Sequence, residues 1–177
     1  MRMFGGVLAV LTSLSATASA QVPSTSVFVG GGATVPIGDY KEYAKTGFLA
    51  DAGIGRTFGS GRVFAFADVF YGRNSHETAD ESTTLLGGGA NVGLSSTAGT
   101  VRPYAYVGLG MQNHKYNPAG GGDGGSETKP YGRGAVGLSL GSGKTTFWVE
   151  AGLIQGFGGD DGNTGYLPIQ AGISISW

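Results

Sequence analysis

Several short stretches of this chain carry side chains that do chemistry elsewhere in proteins. Gly141-Ser142-Gly143-Lys144-Thr145-Thr146 imitates the end of a phosphate-binding loop. Such a loop, however, requires a glycine five residues before Gly143, where this chain has Leu138, and it opens a helix, whereas the residues from Lys144 on read as a strand. The Gly/Asp-rich segments Gly120 to Glu127 and Gly158 to Gly165 match neither an EF-hand nor a repeated calcium-binding nonapeptide, and they read as surface loops. The two histidines, His76 and His114, fall in expected loops without metal-ligand spacing. No metal and no cofactor is therefore expected. A lipid-modifying hydrolase would need a serine and a histidine close together on a lipid-facing strand, with an acid to orient the histidine; His114 has no such serine in view.

The charges that remain are more informative. Asp51, Asp68, Arg102, Arg133 and Glu150 each sit inside a segment of alternating polarity, on the side opposite its aliphatic residues. If the Gly-Ser breaks at Gly59 and Gly141 are two-residue hairpin turns, Phe58 pairs with Gly61 and Leu140 with Gly143. Asp51 then lies directly opposite Asp68, and Arg133 directly opposite Glu150. Two adjacent carboxylates shift each other's ionisation and invite a cation. A carboxylate pair facing an Arg-Glu pair instead makes a salt-bridge network.

The elements that position these groups are strands. From Thr25 onward, segments with a two-residue period alternate with turn-rich breaks. The expected strands are Thr25 to Val35, Gly47 to Phe58, Arg62 to Gly72, Ser82 to Leu94, Val101 to Gln112, Pro130 to Leu140, Lys144 to Gly156 and Tyr166 to Trp177. The breaks run long, short, long, short, long, short, long, with the longest at Asn113 to Lys129. This is the rhythm of an up-and-down barrel with short turns at one end and long loops at the other. The strands match the roughly 9 to 11 residues of a tilted membrane strand better than the 5 or 6 usual in soluble domains.

The faces point the same way. In the last strand Leu167, Ile169, Ala171, Ile173, Ile175 and Trp177 share one side, while Tyr166, Pro168, Gln170, Gly172, Ser174 and Ser176 share the other. A soluble lipocalin-like barrel would bury the aliphatic side and expose the charged one. Here the charges lie opposite a nearly charge-free aliphatic face, which suits lipid outside and a polar lumen. Glycine, 36 residues of 177, fits a narrow barrel in which inward glycines leave room for large neighbours. Aromatics near the strand ends (Tyr40, Tyr43, Phe48, Tyr71, Tyr116, Tyr131, Phe157 and Tyr166 at the loop end; Phe58, Phe147 and Trp177 at the other) suggest interfacial girdles.

Met1 to Ala20 reads as a cleaved export signal: Arg2, an apolar run from Phe4 to Leu14, and Ala18-Ser19-Ala20 before Gln21. The barrel domain is then 21–177. With no cysteine, an exported domain of this size finds its stability in packing, closure and lipid rather than in disulfides. The fold class expected is all-β, an eight-stranded antiparallel up-and-down transmembrane β-barrel.

The segment Val29-Gly30-Gly31-Gly32-Ala33-Thr34-Val35-Pro36-Ile37-Gly38-Asp39 and the final Ile169 to Trp177 resemble the first and last strands of the small outer-membrane β-barrel superfamily, which includes the opacity-type proteins and the membrane domain of outer-membrane protein A. The resemblance implies a Gram-negative outer membrane, extracellular loops and periplasmic termini. It also implies lipid and lipopolysaccharide as surroundings, and a last strand read by the barrel-assembly machinery through Ile173, Ile175 and Trp177. The family usually ends in Phe, so Trp177 departs from its pattern.

The expected role is a structural or surface-interacting barrel, not an enzyme. A narrow ion channel gated by Asp51, Asp68, Arg133 and Glu150 is the alternative, and a lipid A-modifying enzyme the less favoured one. A wide, porin-like diffusion pore does not fit an interior filled by Phe64, Phe66, Phe70, Tyr104, Tyr106 and Trp148. Loop charges lean acidic (Asp39, Glu42, Glu77, Asp80, Glu81, Asp123, Glu127, Asp160, Asp161 against Lys41, Lys45, Arg73, Lys115, Lys129), and no basic patch invites nucleic acid. The loops could meet a surface ligand that their sequence does not name.

Overall fold

The structure, a computed structural model, describes residues 24–78, 80–158 and 164–177. The expected export signal, Met1 to Ala20, lies outside the described residues, as do Asp160 and Asp161. Eight antiparallel strands follow in chain order and close: β1 (Thr25–Ile37), β2 (Gly47–Phe58), β3 (Val63–Ser75), β4 (Ser82–Ser95), β5 (Val101–Asn117), β6 (Ser126–Leu140), β7 (Thr145–Gly156) and β8 (Gly165–Ser176). β1 pairs with β8, from Ser26 with Ser176 to Ile37 with Gly165, so no strand edge is left open. Closure also gathers both ends of the described chain at one rim, where the Thr25 N–H donates to Trp177 O at 3.2 Å. Among the described residues no helix is long and apolar enough to cross a membrane.

The strands extend further at the loop end than the sequence suggests. β5 continues to Asn117 and β6 starts at Ser126, with His114 paired to Glu127, so the long break expected at Asn113 to Lys129 is mostly a projecting hairpin. Its polar residues hide the strand signal, because a hairpin wet on both sides shows no apolar alternation. Neither histidine is therefore in an irregular loop: His114 is in β5, and His76 forms a bridge with Ala44 just past β3. The first loop holds a 3-10 turn, Gly38–Glu42, which tucks Tyr40 inside at 1% exposure.

The outer face is aliphatic and bare. Val69, Val107, Leu109 and Val136 are each more than 60% exposed, and Ile54, Val92, Ile169 and Ile175 continue the belt. Such a belt far exceeds the few hundred Å² of apolar patch usual on soluble monomers. Phe48, Tyr71 and Phe157 at the loop end and Phe58, Phe147 and Trp177 at the other also face out, whereas Tyr43 and Tyr116, partly exposed, turn onto the His76 ring. Tyr40, Tyr131 and Tyr166, expected in the girdle, are instead buried inside. For Tyr131 and Tyr166 strand parity decides it, since each shares its face with the lumen residues Arg133 and Gln170.

Inside, large rings fit against glycines. A Cβ on Gly30 or Gly172 would overlap the Trp148 ring, one on Gly87 would overlap Phe70, and one on Gly110 would meet Tyr131 at 2.6 Å. Gly30→Ala is expected to force Trp148 off its rotamer, at about 1 to 3 kcal/mol. In a double-mutant cycle of urea unfolding, Gly30→Ala should cost markedly less in a Trp148→Leu background; equal cost in both backgrounds would mean that the ring is not what the glycine accommodates.

Candidate functional site

Asp51, Asp68, Arg133 and Glu150 all point into the lumen, but not in the register read from the sequence. Asp51 pairs with Phe70 and Asp68 with Gly53; Arg133 pairs with Ile154 and Glu150 with Gly137. The turns are longer than two residues. Phe58 pairs with Val63 around Gly59-Ser60-Gly61-Arg62, where Gly59 (φ 59°) and Gly61 (φ 79°) both adopt left-handed backbone, and Leu140 pairs with Phe147. Turn geometry sets hairpin register, and side chains alternate every residue, so a slip by an even number of residues changes partners but not faces. Each charge therefore stays inside.

Arg133 stands at the centre. Its guanidinium donates to Asp68 Oδ2 and to the Tyr106 hydroxyl, and it lies 3.7 Å from Glu150 Oε1. It also sits over the Tyr106 ring, 5.0 Å from the centroid. Asn91 donates to Asp68 Oδ1 at 2.8 Å, while Tyr104 and Tyr106 donate to the two oxygens of Glu150 at 2.8 and 2.6 Å. Five strands, β3 to β7, meet in this one network. Charges this deep are tolerable only when paired and fully hydrogen-bonded. The sequence reading missed Asn91 and the two tyrosine hydroxyls as members; their inward parity was the available signal.

Towards the long loops, the lumen is packed solid by Leu49, Phe70, Leu85, Tyr131, Ile154 and Tyr166, none more than 2% exposed. Towards the chain ends it opens into a cavity of about 430 Å³, walled by aromatic rings, by serine and threonine hydroxyls, by the acids Asp51 and Glu150, and by Arg56, Arg102 and Arg133. Arg102 stays apart from the Arg133 network and donates to Ser139 Oγ at 3.4 Å.

A second polar cluster closes the loop end. His76 Nε2 lies 2.8 Å from Thr83 Oγ1, and its Nδ1 lies 3.8 Å from Glu81 Oε2. Spacing along the chain does not reveal this grouping, because residues flanking a hairpin loop are joined only by strand pairing. A hydroxyl, an imidazole and an acid in line form the triad of a nucleophilic site. Here, however, the hydroxyl and the ring are both buried, facing the lumen rather than lipid, with the ring held between Tyr43 and Tyr116.

Burial holds the His76 imidazole below its ordinary value, with Glu81 opposing the shift. A histidine depressed in the fold takes up protons more readily when unfolded, so its contribution is intact above about 6.5 and is lost as pH falls below that value. Stability should thus decline from about pH 7 to 5, and His76→Asn should flatten that decline in urea titrations. A slope unchanged by the substitution would place the effect elsewhere. Lys129, only 3% exposed, lies in β6 and pairs with Glu127 at 3.2 Å rather than lying in a loop. Among the described residues no group of three or more His, Cys, Asp or Glu is arranged to hold a metal ion.

With this geometry in hand, comparison with solved structures settles the fold. Neisserial surface protein A (NspA) superposes with a TM-score of 0.65 at 14% identity, covering 89% of this chain and 99% of that one. This chain has the fold of the small eight-stranded outer-membrane β-barrels. Another such barrel, Ail, the attachment invasion locus protein of Yersinia pestis, gives 0.54 at 17% identity over 88% of this chain and 100% of its own. The same barrel in complex with the heparin analogue sucrose octasulfate gives 0.54 at 16%, over 88% and 100%. No protein-family model and no curated relative matches the chain.

Proposed function

We propose that the protein is a non-enzymatic integral barrel of the outer membrane, with extracellular loops, periplasmic termini and a lumen closed by the Arg133 network and the aromatic packing above it. The observation that carries this reading is the bare aliphatic belt, which only lipid would cover at low cost. The role is structural or surface-interacting. Lipopolysaccharide and lipid are its surroundings, and Ile173, Ile175 and Trp177 form the signal for the barrel-assembly machinery. Ail's structure with a heparin analogue raises polyanion binding for this fold. Here acidic side chains at the loop end (Asp39, Glu42, Glu77, Asp80, Glu81, Asp123) argue against such a ligand.

The packed upper lumen favours a plug over the narrow ion channel, and the buried, lumen-facing His76 cluster argues against lipid A chemistry. The test is fractionation with gel mobility. Unboiled protein from the outer-membrane fraction should run faster than boiled protein, and deleting Trp177 should abolish the faster band. Soluble periplasmic protein without a mobility shift would reverse the assignment of the faces.

A further inference from the structure

The lumen network is unbalanced. Arg133 is shared between Asp68 and Glu150, whose four oxygens all have partners in Asn91, Tyr104, Tyr106 and Arg133 itself. Asp51, 6% exposed, is left over, and its Oδ1 is buried without a hydrogen-bond partner. A carboxylate oxygen in that state is costly unless something else meets it. Asp51 lines the 430 Å³ cavity that opens beside the chain ends, as do Phe28, Phe66 and Trp148. Phe28 packs edge-on against both Phe66 (5.4 Å) and Trp148 (6.4 Å), so the rings form one wall. Asp51 Oδ1 and the edge of Trp148 converge over Gly30, where a Cβ would stand 2.9 Å from the carboxylate oxygen.

We infer that this cavity is a binding site for a small organic ammonium compound, which places its charged head between Asp51 and the rings of Trp148 and Phe28. The volume falls within the roughly 300 to 1,000 Å³ of small-molecule sites. Aromatic rings beside an unpaired carboxylate suit an alkylated ammonium, whose weakly hydrated head loses little on leaving water and gains from the ring π-systems. A bare metal ion would need more oxygen ligands than Asp51 provides, since both oxygens of Glu150 are occupied. Nearer the mouth the wall carries Arg56, Arg102 and the hydroxyls of Ser139, Ser174 and Ser176, so the far end of the ligand should bear a hydroxyl or an anionic group. The site is independent of which role the loops play.

Choline and its uncharged carbon isostere test this on the folded barrel in detergent. A Trp177→Phe background leaves Trp148 as the one tryptophan, because the chain has two. Choline should change Trp148 fluorescence saturably and about tenfold more tightly than the isostere, and Asp51→Asn should remove that preference while the unboiled gel band persists. Should Asp51→Asn fail to fold, Phe28→Leu should weaken choline but not the isostere. Equal binding of the isostere, an equal response to sodium chloride, or no saturable change with choline would each overturn the inference.

Discussion

Arg133→Met is expected to destabilise the folded barrel by about 3 to 5 kcal/mol, because it leaves Asp68 and Glu150 buried without their shared cation. The cost comes from the stranded acids rather than from the lost attraction. A triple variant adding Asp68→Asn and Glu150→Gln should therefore recover most of the stability, even though it has fewer ionic contacts. Urea unfolding of detergent-folded protein, read alongside the unboiled gel band, measures both. Should Arg133→Met unfold within about 1 kcal/mol of the parent, the network would be ornamental, and closure of the lumen would rest on the packed layer of Leu49, Phe70, Leu85, Tyr131, Ile154 and Tyr166.

Leu109→Arg should cost about 2 to 4 kcal/mol in lipid vesicles, because Leu109 is the most exposed residue of the belt at 71% and an arginine there must meet hydrocarbon. The penalty depends on depth. The same substitution at Leu140, beside the short turn at the end of β6, should cost no more than about 1 kcal/mol. A soluble barrel would tolerate both alike, so comparing the two variants measures whether the outer face meets a bilayer. Equal and small losses would remove the membrane from the account.

Sequence periodicity by itself determined the strand number, the up-and-down order and which side of each strand faces in. A two-residue period is a local property, written in neighbours such as Val63, Phe64, Ala65 and Phe66. For the same reason the inward placement of Asp51, Asp68, Arg133 and Glu150 was legible, and it survived a wrong estimate of both turns, because even slips preserve the face. Which inward groups touch was not legible. Contact across a lumen depends on register summed around the closed barrel, and register depends on turns whose length hangs on backbone angles at Gly59 and Gly61. The tertiary structure alone decided that one guanidinium serves two acids, that Asp51 is left over, that His76 meets Thr83, and that the lumen is solid at one end and hollow at the other. Each depends on how the strands pair and close, across one hairpin for His76 and Thr83 and between strands distant in the chain for the others, and a local pattern carries no such distance.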